Sequence, residues 1–473
     1  MPGIQHDRVR AFAAAAALLV LSGCAAFSPD RGFDAVRTAV KARTGQELTW
    51  SRTDRDREQA LAAARKLLAA PLTPDAAVRI ALLNNQGLQA TYADVGIAEA
   101  GLVQAGRLRN PGFSFARLRR ADELEIERTF IIDVLALLTL PVRTDLERRR
   151  FEITRTRVAA EVLQVAADTR RAYYRAVAAQ EAAKYAEQVK EAADASAELA
   201  RRMAAAGNFS ALDHAREQVF YAEATAQLAR SRQTRRAERE RLTHLMGLSA
   251  HDIRYTLPDR LPELPKAARS GDDLEARALE TRLDVTSAMQ EAQSVAASLG
   301  LTRVTGFFSV LELGYQRNSE TGQPRQTGYE IELRLPIFDW GGAKLARAEL
   351  TYMQAANRAA DLAVRAQSEV REAYGAYRTA FDIARHYRDE IVPLRKRISD
   401  ENVLRYNGML ISVFELLADA RQQIASVNEY IEALREFWIA DVNLELAATG
   451  RSPGAMQTRP AGVRVGADAT PVH

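Results

Sequence analysis

The chain has 473 residues, 47% of them hydrophobic and 27% charged, with a formal net charge of +4. That is ample material for a packed core and excludes a disordered chain. No basic tract interleaved with aromatic residues marks a nucleic-acid partner, and the arginines alternate with acidic residues at helix spacing, as on solvated helix faces.

The first element is a targeting segment. Arg8 and Arg10 precede an apolar run over 11–21, too short to span a bilayer but suited to a signal peptide. It ends in Leu21-Ser22-Gly23-Cys24, which resembles a lipobox. Cleavage before Cys24 is expected, leaving a cysteine that carries a diacylglycerol and an N-acyl lipid. By the same resemblance, Ala25 after the cysteine implies sorting to the outer membrane. Cys24 is the sole cysteine, so no intramolecular disulfide is expected.

Thr73 as N-cap and Pro74 in the first turn open a helix predicted over 73–109, closed by Asn110-Pro111-Gly112. Strands are predicted over 113–119 and 125–138. A long helix over 143–206 follows, broken by Gly207-Asn208, and a return helix spans 210–246. After a Pro-rich stretch at 258–265 the order repeats: helix 272–300, strands 304–315 and 328–337, helix 343–406, a turn at Asn407-Gly408 and helix 412–447.

The repetition is visible in the residues. Leu140-Pro141 returns as Leu335-Pro336, Ala172-Tyr173 as Ala373-Tyr374, and Ala215-Arg216-Glu217-Gln218 as Ala420-Arg421-Gln422-Gln423. A period near 200 is too long for a solenoid and marks one duplication.

In the fourth strand Tyr329, Ile331, Leu333, Leu335 and Ile337 alternate with Gly328, Glu330, Glu332, Arg334 and Pro336. In the second, Ile126, Arg128, Phe130, Ile132 and Val134 alternate with Glu125, Glu127, Thr129, Ile131 and Asp133. One apolar and one charged face is the period-two pattern of a transmembrane barrel strand, and it puts Glu330, Glu332 and Arg334 on the water-filled side. Phe338 and Trp340 follow, as interface residues would. Four strands cannot close a barrel, so protomers must associate. Residues alone leave two or three copies open.

The second long helix would measure roughly 100 Å at 1.5 Å per residue. Val370, Tyr374, Tyr377, Phe381 and Ala384 follow a coiled-coil rhythm that Ile391 and Ile398 extend. Pro393 lies inside it, where proline costs about 3 kcal/mol. The helix should loosen about one turn before Pro393, while the first long helix, with Ala192 at the matching position, should not.

Enzyme chemistry finds no support. The six histidines form no metal-ligand spacing of the H-E-x-x-H kind, Gly341-Gly342-Ala343-Lys344 lacks phosphate-loop spacing, and no cofactor motif is present.

Three groups of residues together resemble the outer membrane efflux protein family, the TolC-like channel-tunnels. They are Leu335-Pro336-Ile337-Phe338-Asp339-Trp340-Gly341-Gly342, Arg405-Tyr406-Asn407-Gly408 followed by Phe414-Glu415-Leu416-Leu417, and Asn208-Phe209-Ser210-Ala211-Leu212-Asp213. The lipobox adds the lipoprotein subset.

The resemblance implies a mainly α fold with a small β part, in a duplicated helix–strand–strand–helix–helix plan. It implies a homotrimer in which four strands per protomer share a twelve-stranded barrel above an α-barrel of long coiled-coil helices. It implies a passive outer-membrane channel for small molecules or metal ions, fed by a periplasmic adaptor and an inner-membrane pump of the RND type. The expected organisation is a signal peptide (1–23), an anchor and equatorial segment (24–71), a first repeat (72–257), a linker (258–271), a second repeat (272–450) and a disordered tail (451–473). Gly207, Asp213, Gly408 and Glu415 are the expected tip or gate residues. The family's acidic constriction positions fall here on Phe414 and Leu417, with Glu415 and Asp419 nearby. The alternatives are a lipid-anchored periplasmic adaptor, which carries one hairpin where this chain has two, and a structural coiled-coil lipoprotein, against which the alternating strands argue.

Overall fold

The computed structural model describes residues 26–120, 122–249, 254–305, 310–333, 338 and 340–452. They form two compact units, each drawing on both repeats: one from 26–50, 86–162 and 284–363, the other from 51–85, 163–283 and 364–452.

Two short helices come first, α1 (Asp34–Thr44) and α2 (Asp54–Leu68). The first repeat then runs α3 (Pro74–Asn84), α4 (Gln86–Ala105), β1 (Gly112–Arg120), β2 (Glu123–Asp133), α5 (Val134–Ala205) and α6 (Ala211–Leu245). The second runs α7 (Leu274–Thr281), α8 (Leu283–Thr305), β3 (Leu311–Glu320), β4 (Gln326–Leu333), α9 (Gly342–His386), α10 (Val392–Asn407) and α11 (Val413–Thr449). The same order appears twice, as the duplication requires. Thr73 caps α3 as expected, its hydroxyl accepting from the Ala76 amide at 3.1 Å.

Four boundaries differ from the sequence reading. The helix expected over 73–109 breaks at Asn85, and the one over 272–300 breaks at Arg282, the matching place in the other repeat. Distant partners hold both breaks. The Asn85 side-chain Nδ2 donates to the Leu245 carbonyl at 2.9 Å, and the Leu283 backbone amide donates to the Gly450 carbonyl at 3.1 Å. Arg282, fully buried, pairs with Glu369 at 2.9 Å.

The second strand stops at Asp133, and 134–138 is helical, not extended. The Asp133 carboxylate accepts from the Ala136 amide at 2.7 Å, so this residue caps α5 and ends the strand. Pro141, expected ahead of the long helix, therefore lies inside α5. The third strand begins later than expected, at Leu311, because α8 continues to Thr305. In the fourth, 334–337 lies outside the described residues.

The loosening before Pro393 is present. Tyr387–Ile391 forms a single π-helical turn between α9 and α10, closed by the Val392 amide on the Tyr387 carbonyl. A proline withholds its own amide and its ring crowds the carbonyl four residues back, and one extra residue in the turn relieves both. At Ala192 α5 runs through without a break.

Each unit has its own core. In the first, Phe33 packs edge-on against Tyr92 and tilts against Trp50, and the Ser28 amide donates to the buried Glu99 carboxylate at 2.8 Å. In the second, Tyr173, Tyr174, Trp438, Phe437, Tyr377 and Phe381 form a continuous chain of ring contacts. The Pro-rich linker lies along this core. Trp438 Nε1 donates to the Pro262 carbonyl at 3.0 Å, and Gln180 donates to the Pro258 carbonyl at 3.0 Å.

Candidate functional site: a two-faced sheet and two hairpin tips

The four strands form one antiparallel sheet in the order β1-β2-β3-β4, leaving β1 and β4 as its edges. The registers hold a constant offset along each pair, so residues sort cleanly onto two faces. On one face Phe113, Phe130, Tyr315 and Tyr329 stand in a single row across all four strands. Beside that row, Ile132, Leu313 and Ile331 form another, and Leu311 faces Leu333. All of these apolar side chains but the half-buried Leu311 are exposed, Tyr329 at 81% and Phe113 at 67%.

The other face is acidic. Asp133, Glu312 and Glu332 stand in one row, and Glu330 sits opposite Gly314. Glu123, Glu125, Glu127 and Glu320 complete the acidic residues of the strands, all on this face, where Arg120 is the only strand arginine among the described residues. Gln316 donates to Glu330 at 2.5 Å, and Arg109 pairs with Asp133 at 3.1 Å. Glu330 and Glu332 thus share one charged face of the sheet, in the period of two that the alternation predicts. Arg334 lies outside the described residues. Phe338 and Trp340, just beyond, are exposed at 99% and 67%.

In the other unit, the hairpin tips repay attention residue by residue. At the first tip Gly207 has φ +78°. Its amide donates to the Ala204 carbonyl, and Asn208 donates to Met203, so the last carbonyls of α5 are satisfied. Ser210 then caps α6 by accepting from the Asp213 amide at 3.1 Å, and the Asp213 carboxylate binds Ser210 in turn and pairs with Arg216 at 3.2 Å. At the second tip Ser412 likewise accepts from the Glu415 amide at 3.3 Å. The two acids expected at a gate are thus the third residues of their helices, and both take part in helix caps.

The second turn lies where the sequence predicts it, directly after α10. Gly408 has φ −82°, and the left-handed residue is Met409, at φ +58°. Met409 is 94% exposed, and Leu410 and Leu404 beside it are also exposed.

The residues the sequence reading missed are Glu217 and Arg421. Glu217, on α6, is 3% exposed. It accepts from the Ser196 hydroxyl at 2.7 Å and pairs with Arg421 of α11 at 2.8 Å. The Arg421 guanidinium also lies over the Phe220 ring, 4.3 Å from its centroid. Next to the pair is a cavity of about 220 Å³ lined by Leu199, Met203, Phe209, Val413 and Leu417. One ion pair therefore joins the two hairpins beside this apolar cavity. The repeated Ala-Arg-Glu-Gln and Ala-Arg-Gln-Gln segments contain both partners, and that repetition was the available signal.

Among the described residues no helix is long and apolar enough to cross a membrane, and no cluster of His, Cys, Asp or Glu is arranged to hold a metal ion. Cys24 lies outside the described residues.

No family profile matches the chain. It is 26% identical over 276 residues to the cobalt-zinc-cadmium resistance protein CzcC of Cupriavidus metallidurans, which covers 57% of this chain and 64% of that protein. The alignment thus spans less than two thirds of that relative's length. Among solved structures, CusC superimposes with a TM-score of 0.67 at 16% identity, covering 80% of this chain and 92% of that one. The CmeC outer membrane channel of Campylobacter jejuni gives 0.68 at 17% identity, covering 81% and 87%. The chain has the TolC-like channel-tunnel fold.

Proposed function

We propose that this protein is the outer-membrane channel of a tripartite efflux system and assembles as a homotrimer. The observation that carries the reading is the sheet. Backbone groups at a membrane-embedded edge must be paired, and β1 and β4 are both edges of the single chain. Pairing β1 of one copy with β4 of the next closes twelve strands from three copies. Such a closure turns the apolar face to lipid and the acidic face, with Glu330 and Glu332, to the water-filled lumen.

A lumen lined by carboxylates attracts cations and repels anions. We therefore assign metal cations as cargo, in keeping with the resistance to cobalt, zinc and cadmium named for the relative. The apolar residues exposed at the second tip, Leu404, Met409 and Leu410, suit docking of a periplasmic adaptor, which would link the channel to an inner-membrane pump of the RND type. The lipid on Cys24 would anchor the chain to the outer membrane, adding no chemistry of its own.

A strain lacking the gene should become sensitive to cobalt, zinc and cadmium salts and recover with the wild-type gene. Sensitivity to drugs alone would remove the cargo and keep the channel. No change toward either class would remove the channel reading. Mass spectrometry of the mature N-terminus tests the anchor, because a first residue other than an acylated Cys24 would contradict it.

A further inference from the structure

The apolar face of the sheet carries a charge that a purely lipid-facing surface should not. Four of the five strand arginines, Arg117, Arg119, Arg128 and Arg317, lie on it, and no acidic residue does. Their placement follows one direction. The strands leave and rejoin the helices at the end holding Leu311 and Leu333, and both hairpin turns lie at the opposite end. The Thr321 amide donates to the Leu124 carbonyl at 3.1 Å, aligning the two turns. From the helical end the face reads as aliphatic rows, then the four-ring aromatic row, then the arginines.

The arginines are also close together. The paired positions Ile126↔Ser319 and Thr129↔Gln316 flank Arg128 and Arg317, which therefore stand at one level on adjacent strands. Arg128 is opposite Phe115, so Arg117 is its diagonal neighbour. Like charges at such positions repel and weaken a sheet unless an anion lies between them. Guanidinium groups bind phosphate oxygens in pairs, and they do so most strongly where water is scarce.

We propose that Arg117, Arg128 and Arg317 form a docking surface for the phosphate groups of outer-leaflet glycolipids. The inference rests on the reading of the sheet as a membrane barrel. In that barrel the hairpin end faces outward, and the arginine rows begin about 7 Å along the strands beyond the aromatic row, at about 3.4 Å per residue. Aromatic rows settle at the boundary between acyl chains and headgroups, and arginines one row further out meet headgroup phosphate. The occupant is thus an anionic, multiply phosphorylated lipid bridged by three guanidinium groups on three strands.

The test uses the full-length assembled protein in a neutral detergent and two probes, bisphosphorylated lipid A and the same lipid with one phosphate removed. Native mass spectrometry reads retained lipid. The wild type should retain the bisphosphorylated probe at least tenfold more tightly, with the preference fading as salt rises. Replacing the three together (Arg117→Gln, Arg128→Gln, Arg317→Gln) should abolish the preference, and the three Lys replacements should keep much of it. If the triple Gln variant does not assemble, single Gln variants should each lower retention several-fold. Equal retention of both probes by the wild type, or an undiminished preference in the Gln variants, would overturn the proposal. An intact barrel with no preference removes only this inference, whereas failure of the barrel reading shows separately, as a wild type that does not fractionate with outer membranes.

Discussion

Replacing Arg421 with alanine isolates the contact that joins the hairpins. Glu217 is 3% exposed, and its two partners are Ser196 and Arg421. Removing one member of a buried ion pair costs about 3–5 kcal/mol, because the other charge is left without compensation. The Arg421 side chain is 35% exposed, which screens the interaction and brings the cost nearer to about 2 kcal/mol. At 1.4 kcal/mol per tenfold, that shifts the balance toward separated hairpins by roughly 30-fold per protomer. Conductance of the trimer in planar bilayers reads this directly: Arg421→Ala should raise the open fraction. Adding Glu217→Gln removes the stranded charge, so the double variant should regain thermal stability over Arg421→Ala while remaining open. If Arg421→Ala conducts like the wild type, the pair does not hold the tip, and the reasoning from burial fails.

Three further outcomes follow from local geometry. Gly207→Ala, at φ +78°, should lower stability by about 1 kcal/mol, whereas Gly408→Ala, at φ −82°, should not, and Met409→Gly should raise it; equal melting shifts for the two alanines would contradict this. Burial pushes the Asp441 carboxyl above its ordinary value despite Arg269 at 3.2 Å, so the stability it contributes is fully present below its unfolded pKa of about 3.9 and is lost as pH rises through the folded value. Asp441→Asn should therefore flatten the decline of melting temperature from pH 4 upward, and an unchanged slope would exclude the group. Pro393→Ala should let α9 and α10 merge through Tyr387–Ile391 and lower efflux with assembly intact, while unaltered transport would leave the π turn a static feature.

The duplication, the strand faces and the loosened turn before Pro393 were legible because each depends on local periodicity or on one residue's covalent geometry. Glu330 and Glu332 needed only a period of two. What escaped the sequence depends on partners far away along the chain. The breaks at Asn85 and Arg282 are held by Leu245, Gly450 and Glu369, so helix propensity alone runs straight through them. The apolar run after Asp133 suits strand and helix equally, and the Asp133 cap decides between them. At the second tip the turn at Asn407-Gly408 was legible, but not that Met409 is its left-handed residue. Asp213 and Glu415, expected at a tip or gate, are the third residues of α6 and α11, and their amides donate to the capping hydroxyls of Ser210 and Ser412. Glu217 and Arg421 are 204 positions apart and became partners only through the fold.

The central claim is that one face of the sheet meets lipid and the other meets water. Single cysteines placed from Gln326 to Leu333 can be probed with a membrane-impermeant thiol reagent on the assembled channel, with the protein carrying Cys24 alone as the blank. The account predicts labelling at 328, 330 and 332 and protection at 329, 331 and 333. Equal labelling of both sets would contradict it.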